Sequence, residues 1–140
     1  MIEPLNAFDP PQTWEELVEL KPKIRHSTPQ TARFPEDLAF YDLYTKLVPR
    51  DIRLEIIKQL IGNNDYKILQ NNFPYLKLLK NLPEVKHFCL WSRVGELLPE
   101  VIESEIAKAF PGKKYFWLEN SLQTKSIPEI WHCQVFVKEK

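Results

Sequence analysis

The fold is decided by residues 113–137, KKYFWLENSLQTKSIPEIWHCQVFV. Residues 115–118 are rich in aromatic side chains, and residues 130–137 alternate over the length of a strand. Both patterns suit a pleated, half-buried surface, so they predict two β-strands. The polar segment at residues 120–128 predicts a loop between these strands.

A third strand is predicted upstream of this stretch. Residues 85–92, VKHFCLWS, alternate with a period of two, and a helix is expected over residues 96–110, before Pro111 and Gly112. That helix carries its apolar residues along one side, as a helix facing a core does. The order strand, helix, strand, loop, strand predicts a β-α-β crossover followed by an antiparallel return.

The N-terminal part of the chain carries a helix-start signal at Thr13. Glu16 lies three residues further on, which completes a capping box. We expect a short helix that begins here and ends near Pro22.

Two longer helices are predicted next. Pro35 and the acidic residues after it favour a helix start, Pro49 ends that helix, and Gly62 ends the one that follows. Residues 65–70 and 74–79 are predicted to add helical turns. The side chains expected to form buried stripes on the two longer helices are Leu38, Tyr41, Leu43 or Tyr44, Leu47, Ile52, Ile56, Ile57, Leu60 and Ile61.

The predicted fold class is α+β, with a mainly helical N-terminal half packed on a small three-stranded mixed C-terminal sheet with one crossover helix. We expect a single domain over residues 1–140, because a chain of this length can bury about two-thirds of its unfolded surface. Its expected parts are an extended, proline-rich arm at residues 1–12, a helical part at residues 13–82 and a β-α-β-β part at residues 83–140.

The amino-acid composition limits the kinds of partner that the chain is expected to bind. Nineteen basic and nineteen acidic residues cancel, so the chain lacks the overall field that draws proteins to nucleic acid or anionic lipid. No apolar run approaches the roughly 20 residues that span a bilayer. The start of the sequence carries acids and prolines rather than a targeting signal. We therefore expect a soluble, cytoplasmic or nuclear protein that does not bind membranes. Nucleic-acid binding is a weaker third option, because aromatic strand residues stack on bases but the charges of the chain balance.

The positions of the glycine and cysteine residues limit which kinds of functional site the chain can form. The three glycines are scattered, so no glycine-rich phosphate loop can form and no cofactor is predicted. Cys89 and Cys133 lie in apolar strand patterns, where a reduced cysteine usually serves as a small hydrophobic residue.

The alternation of each strand divides its side chains between two faces. One predicted face, directed at the helices, collects Phe88, Leu90, Phe116, Leu118, Trp131, Cys133, Val135 and Val137. The other collects His87, Trp91, Tyr115, Trp117, Glu119, His132 and Gln134. Aromatic walls with a few polar groups are typical of a small-ligand pocket. The alternative is that the N-terminal helices cover this face too, with each histidine hydrogen-bonded in the core.

Further candidates for ligand contact lie outside the strands. Arg93, Asn120 and Ser126 carry groups that hydrogen-bond hydroxyls or phosphate, and Arg33 lies in a basic loop predicted at residues 21–34. Such a loop is more typical of a solvated surface, and Asn120 and Ser126 are also common turn residues. Arg33 has an ion pair at a helix end as its alternative role.

Four pieces of the chain resemble the fungal N-acetylglucosamine-induced protein family, an uncharacterised group. They are TWEELVELKP at residues 13–22, RFPEDLAFY at residues 33–41, HFCLWS at residues 87–92, and residues 115–137. The most specific features are Trp117, Asn120, the Ser-Ile-Pro at residues 126–128, His132, Val135 and Phe136. Members often have a second histidine where this chain has Gln134. The resemblance implies a cytosolic protein linked to amino-sugar metabolism, without an established reaction.

Catalysis finds little support in the residues. His87-x-Cys89 and His132-x-Gln134 resemble the paired strands of two-histidine phosphoesterases but lack the hydroxyl residues. A zinc site from both histidines and Cys89 lacks the usual ligand spacing, and Cys133 points to the opposite face from its neighbour His132. No catalytic residue and no metal ligand is therefore predicted, and the chain is not expected to be an enzyme.

The predicted function is the binding of a small polar ligand, phosphosugar or nucleotide-like, on the aromatic and histidine-lined sheet face. The alternative is a non-enzymatic protein interaction module that uses exposed aromatics and the proline-rich arm. The sequence leaves the oligomeric state open. If His87, Trp117 and His132 line a concave, solvent-accessible cavity, ligand binding is favoured. If they are buried and the apolar patch is convex, interaction is favoured.

Overall fold

In the described part of the chain, four helices precede the first strand and a fifth lies between the second and third strands. The computed structural model describes residues 10–25, 35–71, 75–76, 78–120 and 130–139, and the statements below concern those residues. The helices are α1 (Trp14–Glu19), α2 (Lys21–Arg25), α3 (Pro35–Leu47), α4 (Arg50–Ile61) and α5 (Pro99–Ala109), and the strands are β1 (Tyr66–Gln70), β2 (Val85–Ser92), β3 (Lys114–Leu118) and β4 (Trp131–Lys138). The predicted α+β class is confirmed.

The sheet has four strands in the order β1-β2-β4-β3, and every neighbouring pair is antiparallel. The prediction of three strands in a mixed sheet was therefore wrong. The missing strand is β1, in a segment predicted to be helical. Tyr66 and Ile68 pack against the core on the α5 side, and Ile68 pairs with Leu90 of β2. A five-residue run has too few residues for its periodicity to distinguish strand from helix, and pairing with β2 decides it.

The predicted crossover is present in altered form. Helix α5 connects β2 to β3, but β4 lies between these two strands. Since β2 and β3 are each antiparallel to β4, they run parallel to each other. Helix α5 begins at Pro99, three residues later than predicted, because proline is favoured in a first helical turn.

Two hydrophobic clusters cover opposite sides of the sheet. The α1–α2 face carries Phe116, Leu118 and Phe136, packed against Trp14, Leu17, Ile24, Tyr75, Leu78, Leu79 and Leu82. The α5 face carries Leu90, Cys133, Val135 and Val137, packed against Ile102 and Ile106. Both faces are thus covered by apolar side chains, and a helix contributes to each cover.

The predicted grouping of β3 side chains was wrong. Phe116 pairs with Phe136 and shares the α1–α2 face with His87, whereas Tyr115 and Trp117 pack on the α5 side. Residues 115–118 are apolar or aromatic at every position, so alternation alone could not tell which set faced which helices. The register with β4 fixes the choice.

The helices α1 and α2 pack against the sheet. Thr13 caps α1 as predicted, with its Oγ1 accepting a hydrogen bond from the Glu16 backbone N at 3.1 Å. Leu17 and Ile24 are completely buried, and the Trp14 ring lies 5.5 Å from that of Phe116. Residues 21–25, predicted as part of a basic loop, instead form α2.

The helices α3 and α4 behave differently. Their ends follow the predicted signals, and Gly62 ends α4 with a φ of 65°. The predicted buried stripes, however, are largely exposed. The side chains of Leu43, Leu47, Ile52, Ile56 and Leu60 are 41% to 69% exposed. Those of Leu38, Tyr41, Tyr44 and Ile57 are half-buried. Of the predicted stripe residues, Ile61 alone is fully buried.

Candidate functional site

A buried polar network lies on the α1–α2 face of the sheet. His87, Gln134 and Asn120 are 3%, 6% and 5% exposed. His87 Nε2 lies 2.5 Å from Gln134 Oε1, and Gln134 Nε2 donates to Asn120 Oδ1 at 3.0 Å. Asn120 Nδ2 donates in turn to the Arg25 carbonyl at 3.3 Å. These contacts link the centre of the sheet to the C-terminal end of α2.

The tautomer of His87 follows from its neighbours. The Tyr75 backbone N donates to His87 Nδ1 at 3.2 Å, so Nδ1 is the acceptor and the ring proton lies on Nε2, where it is donated to Gln134 Oε1. The His87 ring also stacks on Phe136 with centroids 4.4 Å apart. A histidine held on both nitrogens and on one ring face is fixed in the interior.

Asn71 completes the network from the other side. Its Nδ2 lies 3.4 Å from Gln134 Oε1 and 3.4 Å from Cys89 Sγ, and its backbone N donates to the His87 carbonyl. A buried polar group destabilises a fold unless it is hydrogen-bonded. The satisfied network therefore matches the second alternative from the sequence, a covered face with hydrogen-bonded histidine.

His132 and Trp91 form a separate stacked pair. Their ring centroids are 4.2 Å apart, and His132 Nδ1 lies 3.0 Å from the Ile130 carbonyl. His132 is 4% exposed and Trp91 is half-buried. Neither histidine predicted to contact a ligand is thus open to solvent.

Arg93 holds the end of α4 beside β2. Its Nη1 donates to the Gly62 carbonyl at 3.1 Å and its Nη2 to the Asn63 carbonyl at 3.3 Å. A carboxylate oxygen of Asp65 lies 3.8 Å from Nη2. Gly62 is the C-cap of α4 and Asn63 follows it, so Arg93 fastens the segment in which the chain leaves the helix.

Tyr115 lies on the α5 face, away from His87. Burial, a hydrogen bond to the Glu103 carboxylate and the negative charge of that group all raise the pKa of the Tyr115 hydroxyl above its usual value. The hydroxyl donates to Glu103 of α5, so its contact fastens the helix to the sheet.

Trp117 and Glu119 are the two predicted residues that line an open groove. The groove has a volume of about 390 Å³ and lies between α2 and β3, at one end of the strand order. Its lining consists of Lys21, Pro22, Arg25, Trp117, Leu118 and Glu119. Lys21 Nζ lies 5.4 Å from the centre of a Trp117 ring, within the range of a cation–π contact.

The basic side of this groove was not chosen from the sequence. Lys21 and Arg25 are four residues apart on α2, a spacing that places two side chains on the same side of a helix. That spacing was the available signal, but it depends on residues 21–25 being helical rather than a loop. Two other predicted contacts, Arg33 and Ser126, lie outside the described residues.

The described part of the chain holds neither a metal-binding cluster nor a membrane-spanning helix. No three His, Cys, Asp or Glu side chains there come together in a group that could hold a metal ion. No helix in the same residues is long and apolar enough to cross a membrane.

The chain has a small α+β fold with a four-stranded antiparallel sheet, and it is similar in fold to a solved structure. The chain resembles the solved structure described as the crystal structure of HTC1, with a TM-score of 0.59 and 20% sequence identity over 89% of this chain and 84% of that one. That likeness concerns the fold alone. No protein family model matches the chain.

A sequence relative is N-acetylglucosamine-induced protein 1 of Candida albicans. The two are 31% identical over 94 residues, which is 54% of this chain and 35% of that protein. The chain therefore matches about a third of the relative's length. This likeness supports the family relationship suspected from the sequence.

Proposed function

We propose that the chain binds a small phosphate-bearing ring compound, a phosphosugar or a nucleotide, in the groove between α2 and β3. The observation that carries the proposal is the convergence of Lys21, Arg25 and the Trp117 ring on one groove of about 390 Å³. That volume falls within the range of about 300–1,000 Å³ found for small-ligand pockets.

Each part of the groove has a role in this proposal. Lys21 and Arg25 supply the charge-assisted hydrogen bonds that phosphate oxygens accept most strongly. The Trp117 ring offers a flat apolar surface for a sugar or a base. The Glu119 carboxylate accepts hydrogen bonds from ring hydroxyls and disfavours ligands that carry a second anionic group at that end.

The buried network contributes by positioning α2. Asn120 binds the Arg25 carbonyl, and Gln134 and His87 hold Asn120 in turn. Asn120, Gln134 and His87 were predicted to contact a ligand. In this proposal they position α2 and do not line the groove. The proposal includes no catalytic step, because both histidines are hydrogen-bonded in the interior.

The test is a titration followed by tryptophan fluorescence and by thermal unfolding. The probes are glucose 6-phosphate, AMP, inorganic phosphate and glucose. The Candida relative is named as N-acetylglucosamine-induced, so N-acetylglucosamine 6-phosphate joins them. A ligand at 100 times its Kd should stabilise the fold by about 2.7 kcal/mol. Trp117→Phe is expected to abolish most of the fluorescence change.

Charge reversals provide the control. Lys21→Glu should weaken binding at least tenfold, whereas Lys46→Glu, at an exposed lysine on α3, should leave binding unchanged. No response to any phosphate compound contradicts the proposal. Equal binding of inorganic phosphate and the ring compounds contradicts the role of Trp117, and equal binding of glucose contradicts the role of the two cations.

The second candidate function is protein interaction through α3 and α4. The observation in its favour is the row of exposed Leu, Ile and Phe side chains on both helices, since large apolar side chains in such number are typical of interaction surfaces. The proline-rich arm at residues 1–12, which was predicted to take part, lies mostly outside the described residues.

A further inference from the structure

The groove between α2 and β3 holds a cation of the chain itself over its aromatic ring. Lys21 Nζ lies over the Trp117 ring, 5.4 Å from the ring centre, and both side chains are half-buried. An ammonium group at this distance is attracted by the electron-rich face of an indole. The aromatic surface that a sugar or a base would need is therefore covered by the Lys21 side chain.

Trp117 is in contact with the protein core as well as with the groove. It packs against the hydrophobic cluster on the α5 side of the sheet, and β3 is at the end of the strand order. The part of the ring that a ligand can reach is the part that lines the groove, where Lys21 lies. A ring compound that enters the groove thus meets Lys21 before it stacks on Trp117.

Lys21 can leave the ring without a change in the backbone of α2. Its side chain is a flexible stem of four carbons. The helix stays in place because Ile24 is completely buried and because Asn120 Nδ2 donates to the Ile24 and Arg25 carbonyls. Displacement of Lys21 is therefore a rotation of one side chain on an anchored helix.

A phosphate group is the ligand chemistry that draws Lys21 away from the ring. Arg25 lies four residues further along α2 and lines the groove with Lys21, so one anion can contact both cations. A cation–π contact at a partly exposed site changes an equilibrium constant by only about two- to fivefold. A charge-assisted hydrogen bond to phosphate is stronger than this contact, whereas a neutral hydroxyl group gains no such bond from Lys21.

We propose that Lys21 makes the groove selective for phosphate-bearing ring compounds, because it covers the Trp117 ring until the phosphate of a ligand draws it away. The uncovered ring then stacks on the sugar or base of the same ligand, and ligands without a phosphate meet a covered ring. Lys21 is thus a specificity-determining residue as well as a phosphate contact. This inference rests on the proposed function and deepens it by coupling the two parts of the groove.

The experiment is a calorimetric titration with AMP and adenosine, two ligands that differ only in the phosphate. In the unmodified chain AMP should bind at least tenfold more tightly than adenosine. Lys21→Ala removes a phosphate contact and uncovers the ring, so AMP should bind at least fivefold more weakly and adenosine about two- to fivefold more tightly. A residue that only contacts phosphate would leave adenosine binding unchanged, and a residue that only supports the structure would weaken both.

Two further variants are the controls. Lys21→Arg keeps a cation that also stacks on an indole, so the preference for AMP over adenosine should persist. Lys114→Ala changes an exposed lysine on β3 that does not line the groove, and it should alter neither affinity. Circular dichroism checks that each variant is folded.

Acrylamide quenching of tryptophan fluorescence follows the ring directly. The contribution of Trp117 is obtained as the difference from Trp117→Phe. Without a ligand, Trp117 should be more accessible to acrylamide in Lys21→Ala than in the unmodified chain. Saturating inorganic phosphate should raise this accessibility in the unmodified chain but not in Lys21→Ala.

The outcomes separate this inference from the proposed function. If AMP binds the unmodified chain but Lys21→Ala does not strengthen adenosine binding, or the quenching of Trp117 is unchanged in both comparisons, the covering role of Lys21 is overturned and phosphate binding in the groove stands. If none of the phosphate probes binds the unmodified chain, both are overturned.

Discussion

The helix pairs α1–α2 and α3–α4 have similar sequence patterns but differ in how far their apolar side chains are buried. Both carry apolar residues at helical spacing between proline or glycine breaks. Leu17 and Ile24 of the first pair are 0% exposed, whereas Phe40 and Leu47 of the second are 66% and 69% exposed. The difference shows that helical periodicity reports an apolar side but not what covers it.

The reason for the difference lies in additional contacts. Helix α2 is joined to the sheet by hydrogen bonds from Asn120 to the Ile24 and Arg25 carbonyls, and α1 by the Trp14 contact with Phe116. Helix α4 is fastened at its C-terminal end, through Arg93 and the buried Ile61. By contrast, the side chains of Leu43, Leu47, Ile52, Ile56 and Leu60 are 41% to 69% exposed.

The largest expected effect comes from comparing equivalent truncations in the two pairs. Leu17→Ala removes a completely buried side chain and should lower the free energy of unfolding by about 2–5 kcal/mol. Leu47→Ala should change that of the monomer by no more than about 0.5 kcal/mol. Urea unfolding at low protein concentration measures both. Similar losses at the two sites would remove the distinction between the helix pairs.

A smaller effect is expected from the network that anchors α2. Gln134→Leu keeps the approximate size but leaves the His87 Nε2 proton and Asn120 Oδ1 without their partner. Each buried group left without a partner costs about 1–3 kcal/mol. The matched control is Gln70→Leu, at an exposed position on β1, and it should stay within about 0.5 kcal/mol of the unmodified chain.

The same variant separates two roles of the network. If the network positions α2, Gln134→Leu should also weaken phosphosugar binding in the groove, although Gln134 does not line it. Unchanged binding in a folded Gln134→Leu protein would assign the network to stability alone.

The smallest expected effect concerns pH and the α5 side. The pKa of Tyr115 is raised by burial and by Glu103, so the folded chain holds the phenol proton at pH values where the unfolded chain releases it. Stability is then fully present below the usual tyrosine pKa of about 10 and is lost as the pH rises through the folded value. Tyr115→Phe should remove this loss, as measured by unfolding across alkaline pH. An identical alkaline profile in both proteins would contradict the link.

Local signals in the sequence predicted several elements correctly. The Thr13 cap, the helix start at Pro35 and the helix end at Gly62 depend on neighbouring residues only, so a short window contains the information. The strand character of residues 85–92 and 130–137 also came from their alternation.

Short sequence windows could not predict which strands pair with each other over long distances in the chain. Strand β1 forms because Ile68 and its neighbours pair with β2, and Phe116 faces α1 because it aligns with Phe136. The candidate site also depends on contacts between residues that are distant in the sequence. Trp117 and Glu119 were chosen from their own strand, but the basic residues opposite them, Lys21 and Arg25, lie almost a hundred positions earlier in the chain.

The contrast between the helix pairs is tested most directly by amide hydrogen exchange of the full chain at low protein concentration. We expect stronger protection in α1 and α2 than in α3 and α4, because Leu17 and Ile24 of the first pair are completely buried, whereas large apolar side chains of the second pair are exposed. Equal protection in both helix pairs, or stronger protection in α3 and α4, would contradict this description.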